Sequence, residues 1–431
     1  MAAASTAVPP PLCAGNVLAQ TVAFHRDPLG FLRARQRELG DVFAIRLLSV
    51  RPLFVLADPE AVPELLASDP ERAGAGEARR AILPFASARS AFGGDGEAHR
   101  SARARIAPAM AAEALEPRRA AMAAIAARHA EGWPRRRPFR LLSRVRTLCD
   151  EIFVRLVLGV RDEQIAAELT AAVGRMLRTP GNPPVTLPGE GDGLAGAGGQ
   201  ALFERRQAPV AKALARGVEA RRSEGGDELD VLGSMVAAGL GTQQIVEELV
   251  SLLMAAQEPP SIALTWLLDR LAREPGLAGA VLGDPRSPRA EAFVRETLRL
   301  RPPASGSLRR LREPVRAGGY ELAPGSTVLV PTALLHADAR GFRDPDRFEP
   351  ERWLADPEPG WPFFPFGGGA RRCVGEALAR AEIEAVLPAI LGTVRLQPLA
   401  PEPEPMVQRA TVLVPRRSLL CRAEPVPSAG S

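Results

Sequence analysis

The chain has 431 residues, 46% of them hydrophobic and 24% charged, a balance that excludes a disordered protein. Its net charge of +5 arises from 55 basic and 50 acidic residues dispersed along the sequence, and only 5% of residues are aromatic, which speaks against a nucleic-acid binder with clustered basic and aromatic residues. No run approaches the ~18 consecutive apolar residues of a membrane span, and residues 1–15 lack the basic start and apolar centre of a secretory signal.

Residues 27–40 carry the spacing of a short amphipathic helix, and apolar runs over 42–48 and 52–57 predict a hairpin. Asp58 opens a further helix over 59–68 as an acidic N-cap. Residues 70–96 show no period and are expected to be loop. From 97 to about 240 the pattern is mostly helical, interrupted over 179–199 by a Pro/Gly-rich segment expected to lack regular structure. A long apolar helix follows over about 241–273, disturbed at Pro259-Pro260, and another over 289–300 stops before Pro302-Pro303. Strands are expected over 315–322 and 327–335, then an irregular polar stretch over 336–365 that is long enough to suggest a functional role. After Cys373 the chain returns to helix through about residue 391, and a short strand falls over 410–414. There is no βαβ alternation and no internal repeat, so the fold class is mainly α with a minor β part.

Four cysteines, Cys13, Cys149, Cys373 and Cys421, lie far apart with no C-x-x-C pair, which argues against a disulfide framework or structural zinc and for a reducing, cytoplasmic setting. One of them has unusual neighbours. Between Phe366 and Cys373, the run Gly367-Gly368-Gly369 permits a tight loop and close approach of a flat ligand. Cys373 stands just before a helix, where backbone N–H groups, together with Arg371 and Arg372, favour thiolate over thiol. A thiolate in such a loop can serve as an axial ligand to haem iron. Phe366, Gly369, Arg371, Cys373 and Gly375 match at every spacing the F-x-x-G-x-R-x-C-x-G signature of the cytochrome P-450 superfamily, which this chain resembles.

Other segments are similar to that family as well. Glu296-Thr297-Leu298-Arg299 matches its E-x-x-R helix motif, and Phe348-Glu349-Pro350-Glu351-Arg352-Trp353 looks like its meander. The resemblance implies a buried structural triad of Glu296, Arg299 and Arg352 that supports the cysteine loop and takes no part in bond making. His99 and Arg103 resemble the H-x-x-x-R pattern that meets haem propionates; the i,i+4 spacing puts both donors on one helix face. Arg371 and either Arg309 or Arg310 are further propionate partners by position.

The family's oxygen-binding helix reads A/G-G-x-D/E-T-T, and its counterpart here is Ala255-Ala256-Gln257-Glu258-Pro259-Pro260-Ser261. Small Ala255 and the acid are kept, but Pro259 replaces the threonine and has neither a hydroxyl nor an N–H. Three readings stay open. Glu258, Gln257, Ser261, ordered water or a substrate hydroxyl relays protons in an ordinary monooxygenase. Alternatively the enzyme performs an atypical oxidation such as coupling or ring formation. In the third, it uses peroxide directly, as peroxygenases of this superfamily with proline here do, although those pair the proline with arginine where this chain has Glu258. A non-catalytic haem sensor or carrier is the alternative from another class.

The resemblance covers nearly the whole chain and implies a single-domain fold over 21–425, a helical bundle around a buried haem plus small β-sheets, after a flexible N-terminal segment, 1–20. It implies haem b (iron protoporphyrin IX) with Cys373 as the metal ligand, and His99, Arg103, Arg309, Phe366, Arg371 and Gly375 about the cofactor. It implies a monomeric bacterial monooxygenase fed by a ferredoxin and ferredoxin reductase. These would dock near the cysteine loop, where Arg372, Arg380 and Arg105 could present a basic patch. The pocket is expected from 82–92, 179–199, 254–258, 304–308 and 410–413, mostly apolar stretches that favour a lipophilic substrate of secondary metabolism, hydroxylated or epoxidised.

Overall fold

The computed structural model describes residues 8–426 apart from 69–71, 84, 179–193, 225–228 and 359. The chain opens with α1 (Val17–Arg26) and α2 (Pro28–Leu39), then β1 (Val42–Ile45), β2 (Leu53–Leu56), α3 (Ala61–Ala67), β3 (Ala73–Gly74) and α4 (Ala75–Arg80). The helical body follows: α5 (Gly96–Ile106), α6 (Ala112–Leu115), α7 (Arg119–Glu131), the short β4 (Phe139–Arg140), α8 (Leu141–Ile152), α9 (Glu163–Arg178), α10 (Leu194–Glu224) and α11 (Val231–Ala237). It continues through α12 (Thr242–Ala256), α13 (Glu258–Arg273), α14 (Pro275–Gly283) and α15 (Pro288–Leu300). Next come β5 (Ser307–Leu311), β6 (Val315–Ala317), β7 (Tyr320–Leu322), β8 (Thr327–Val330), α16 (Thr332–His336) and α17 (Arg352–Ala355). The chain closes with α18 (Glu376–Thr393), β9 (Val394–Pro398), β10 (Met406–Arg409), β11 (Val412–Pro415) and β12 (Leu420–Pro425).

The architecture is helix-rich with small sheets, the class expected from the sequence. Helices α7, α8, α13 and α18 pack on one another and bury the larger apolar core. A second core lies under a five-stranded sheet of order β1-β2-β8-β5-β3. The remaining strands form β4-β12-β9, β10-β11 and β6-β7.

Several local expectations are corrected. The segment 8–20 is tied to the sheet and to α1: Cys13 N–H donates to Ala44 O at 2.7 Å, Ala44 N–H donates to Pro11 O at 2.8 Å, and Asn16 caps α1 through Leu18 N–H at 2.7 Å. The stretch 70–96 contains α4, whose N–H groups at Gly76 and Glu77 are capped by Asp95 at 2.8 and 2.7 Å. A cap supplied from so far downstream leaves no local signature. Of 179–199, residues 179–193 lie outside the described residues, and 194–199 form the start of α10. The expected strand over 315–322 is the hairpin β6–β7, reversed at Gly318-Gly319 with φ of 55° and 81°. The expected strand over 327–335 ends at Pro331, which has no N–H for a ladder, and α16 follows. In 410–414, Ala410 is the turn (φ 50°) and the strand is β11.

The apolar helix expected over 241–273 is divided where the sequence placed the disturbance. α12 ends at Ala256, Gln257 keeps helical φ and ψ of −81° and −48°, and α13 begins with Pro259-Pro260 in its first turn. A proline in a first turn forfeits an N–H that would otherwise serve the ladder, so the carbonyls of Ala255 and Ala256 have no i+4 donor.

Candidate functional site

The cysteine loop is built by its own backbone. Cys373 N–H donates to Phe366 O at 2.8 Å, Gly367 N–H to Phe364 O at 2.9 Å and Arg372 N–H to Gly369 O at 3.0 Å. Gly367 and Gly369 take φ of 72° and 60°, the left-handed region. A Cβ on Gly369 would stand 2.2 Å from Leu66 O of α3, so this glycine also lets the loop lie against the sheet subdomain. Gly369→Ala is expected to cost about 1–2 kcal/mol in backbone strain alone, plus displacement of Leu66. The check is a lowered Tm with weakened haem retention; an unchanged melting curve would mean the loop has slack.

Gly375 is the N-cap of α18, and its N–H draws the Cys373 thiol pKa down, as do the charges of Arg103 and Arg79. Desolvation by the loop outweighs them, so the thiol is raised in the polypeptide itself. Of the two arginines expected to favour the thiolate, Arg372 feels the Cys373 charge, and both also have other partners. Arg372 donates to Glu376 at 2.6 Å, and Arg371 donates to Asp95 and to Gly94 O at 2.6 Å.

Cations gather beside this sulfur. Arg309 on β5 is buried and, among the described residues, donates only to its neighbour Leu308 O at 2.9 Å. Burial, then Arg371, lowers it to about 10. Strand alternation sends Arg310 the other way, to Thr327 Oγ1 at 3.0 Å. Of the two arginines left open by the sequence, Arg309 is the one that faces Arg79 and Arg371. Arg79 of α4, which sequence reasoning passed over as loop, lies 4.4 Å over the Phe92 ring. It is held at about 9 by desolvation and by the charges of Arg309 and Arg371. Arg103 makes no hydrogen bond or ion pair with any described residue, and Asp95 is the carboxylate facing this group.

His99 of α5 packs against the cysteine loop. It is buried, burial and Arg371 push its pKa down, and its ring contacts Ala91 O at 2.8 Å, Ala370 O at 3.3 Å and Arg371 Nη1 at 2.8 Å. With Nδ1 accepting from Arg371 and Nε2–H donating to Ala370 O, the ring ties the Cys373 loop to α5. A sulfur donor, convergent arginines, and the buried Arg371 Nε without a partner form a donor set that fits an anionic, thiolate-ligated iron porphyrin.

Support comes from below. Glu296 accepts from Arg299 at 2.8 and 2.9 Å, from Arg352 at 3.2 Å, from Glu349 N–H at 2.9 Å and from Trp353 Nε1 at 2.9 Å. Arg299 also donates to the carbonyls of His336 and Pro345 at 2.8 Å and Arg347 at 3.1 Å. The motif spacing gave the three charged residues but not Trp353. His336 accepts from Phe364 N–H at 3.1 Å, and burial holds it near a pKa of about 3, so it ties the meander to the loop as a neutral ring.

On the distal side, Glu258 is ion-paired with Arg146 of α8. The guanidinium thus already engages the carboxylate that was expected in the proton relay. Gln257 is 2% exposed, and neither its Oε1 nor its Nε2 finds a partner among the described residues. The apolar walls meet as expected in part. Ile82, Leu83 and Ala86 cluster with Phe85, Phe92 and Leu308, and Ala304 bridges to Val412. Ser251 donates to Phe85 O, and Ala91 N–H donates to Glu248 at 3.0 Å, anchoring this loop to α12. Each residue of the expected basic patch has a near partner. Arg372 and Arg380 are matched by Glu376 and by Glu291 at 2.9 Å, and Arg105 donates to Ser101 Oγ at 2.8 Å.

Comparison with known proteins bears on this arrangement. The family profile described as Cytochrome P450 matches residues 286–422. Cytochrome P450 135B1 of Mycobacterium bovis and Mycobacterium tuberculosis is 30% identical over 436 residues, 97% of this chain and 92% of that protein. Cytochrome P450 135A1 of Mycobacterium tuberculosis is 28% identical over 422 residues, 94% of this chain and 93% of that protein. A solved structure described as retinoic acid bound cyanobacterial CYP120A1 superposes with a TM-score of 0.82 at 21% identity, over 98% of this chain and 100% of that one, a likeness of fold.

Proposed function

The chain belongs to the cytochrome P450 family of haem monooxygenases, and on that premise we propose that Cys373 is the axial ligand of its haem b and that a lipophilic small molecule is its substrate. One reaction cycle takes a C–H or C=C substrate, one dioxygen, two electrons and two protons to the hydroxylated or epoxidised product and one water. The haem supplies the iron chemistry that activates dioxygen. The observation that supports the reading is the convergence of Arg79, Arg103, Arg309 and Arg371 into one cationic group, with Arg79 and Arg103 acting on Cys373 and Asp95 as the facing acid. That group suits two propionates better than a polar substrate.

The chain's own residues divide the remaining work. Arg103 and Arg309 offer guanidinium groups for the propionates, Phe366 and Gly375 border the sulfur, and His99 positions Arg371 and the loop. Small Ala255, at the kink, leaves room near the reacting face. The apolar cluster of Ile82, Leu83, Phe85, Phe92 and Leu308 excludes water and favours terpenoid, polyketide or fatty-acid-like substrates, as would suit bacterial secondary metabolism. A ferredoxin with its reductase would deliver electrons at the cysteine-loop face. Because Arg372 and Arg380 are already paired there, that docking should depend only weakly on salt.

The test is the optical spectrum of the haem-loaded, dithionite-reduced protein under CO. A strongly red-shifted Soret band supports thiolate ligation, and a histidine-type band overturns it. Oxygen-dependent turnover with surrogate ferredoxin and reductase then separates an enzyme from a sensor or carrier. Product formed with peroxide alone would favour the peroxygenase reading, and a coupled or cyclised product the atypical one.

A further inference from the structure

The C-terminal half of α13 and the end of α15 bring together buried donors that the haem-thiolate site does not use. Trp266 of α13 is 2% exposed, and its Nε1–H finds no acceptor among the described residues. Arg301, the C-cap of α15, places its guanidinium 5.1 Å from the centre of the Trp266 ring. Among the described residues that guanidinium donates to its neighbour Leu300 O at 3.2 Å, and its buried Nε has no acceptor. Trp266 and Arg301 line one small cavity together with Phe348 of the meander and Pro403. Its volume of about 10 Å³ is the room of a single small occupant.

The ionic groups around this cavity pair off and leave one cation over. Arg270 donates to Glu274 at 3.0 Å and stacks on the Phe348 ring at 4.2 Å. Arg273 takes both oxygens of Asp269, at 3.0 and 3.1 Å. Asp346, whose charge reaches Arg301, is bound by Arg33 at 2.6 Å. Arg301 itself has no carboxylate within ion-pair distance among the described residues. Burial, then the charge of Arg270, lowers its pKa to about 10, so it is a desolvated cation at neutral pH. An uncompensated buried charge is costly, and a counter-ion brought to it removes most of that cost.

The donor set decides between water and an anion. Indole N–H and guanidinium donate and have no acceptor of their own. A water held by both still has two hydrogens to give, and Asp269, the carboxylate that lines the cavity, is already taken by Arg273. An anion accepts from both donors and needs no acceptor in return. We propose that Trp266 Nε1–H and the Arg301 guanidinium form a binding site for one small monovalent inorganic anion of the halide class. The bound ion neutralises Arg301 and joins α13 to the end of α15 and to the segment that leads into β10. From Arg301 the chain runs through Pro302-Pro303 into β5, the strand of Arg309, so the same ion steadies the turn ahead of that strand. The site stands apart from the haem reading and does not depend on which residue ligates iron.

The test uses the purified holoenzyme at constant ionic strength, with gluconate, an anion too large for the cavity, exchanged stepwise for chloride or bromide. Tm should rise with halide and level off about 2–4 °C higher, as for a ligand that binds only the folded state. Arg301→Met removes the charge, and Trp266→Phe removes the indole N–H. Each should weaken the apparent halide affinity on the order of tenfold or more. Wild-type crystals soaked in bromide give a readout that needs no variant: an anomalous difference peak within hydrogen-bond reach of Trp266 Nε1 and Arg301 Nε. No peak there, a Tm that climbs linearly with halide, or a saturable rise that both variants keep would overturn the proposal and leave water as the occupant. A peak without the saturable rise would mark binding at crystal concentration only, which also ends it.

Discussion

Cys373→Ala is expected to erase the red-shifted Soret band of the reduced, CO-treated protein and to drop oxygen-dependent turnover to the background of the buffer. The far-UV CD spectrum should not change. The loop is fixed by the hydrogen bond of the Cys373 N–H to Phe366 O and by the glycines at positive φ, and none of these needs the sulfur. Alanine keeps the Cβ and removes the only thiolate donor the arginines surround, so the loss is one of ligand and not of fold. The electron donation that a thiolate lends to haem iron has no substitute in a water or hydroxide ligand. Cys13→Ala removes a buried thiol from the N-terminal packing and should leave the spectrum intact. A red-shifted band that persists in Cys373→Ala would place the ligand elsewhere.

Glu296→Gln is expected to destabilise the protein by about 3–5 kcal/mol, the cost of leaving a buried charge without its partner. Both Glu296 and Arg299 have side chains of 0% exposure, and Glu296 receives hydrogen bonds from four residues. A neutral amide turns one of its acceptors into a donor that faces Arg299 or Trp353. Arg299 would keep its three carbonyl acceptors and the Phe342 face at 4.9 Å, but no counter-charge. The exposed pair Arg72–Glu313, with side chains 52% and 55% exposed, provides the contrast. There Glu313→Gln should change stability by less than about 1 kcal/mol. Urea unfolding of the two variants side by side checks the difference, and equal midpoints would show that the Glu296 cluster tolerates a neutral centre. Because the cluster ties α15 to the meander that leads into the cysteine loop, haem retention should fall with stability in Glu296→Gln.

Much of the site was legible because its chemistry is local. The spacing from Phe366 to Gly375 encodes a loop whose bonds run within ten residues, and Glu296 to Arg299 is one helical turn. The break at Gln257 was visible for the same reason, since a proline acts on the four residues before it. Charge balance was not legible. Arg371, Arg372 and Glu258 each carried an expected role, and each is held by a partner chosen by packing: Asp95, Glu376 and Arg146. The Arg372 partner is one turn away and the other two lie far along the chain.

What the sequence by itself determined is therefore the set of short-range devices: helix periods, glycine turns, the proline break and the residue types of the cysteine loop. They depend on contacts between neighbours whose geometry the backbone dictates. Only the tertiary structure decided which ionisable groups share a low-dielectric space. It brought Arg79 from a stretch without periodicity to the side of Arg309 and set the buried His99 against Arg371. Charge and desolvation act through space over several ångströms, and the residues that meet at that range are separated by hundreds of positions along the chain.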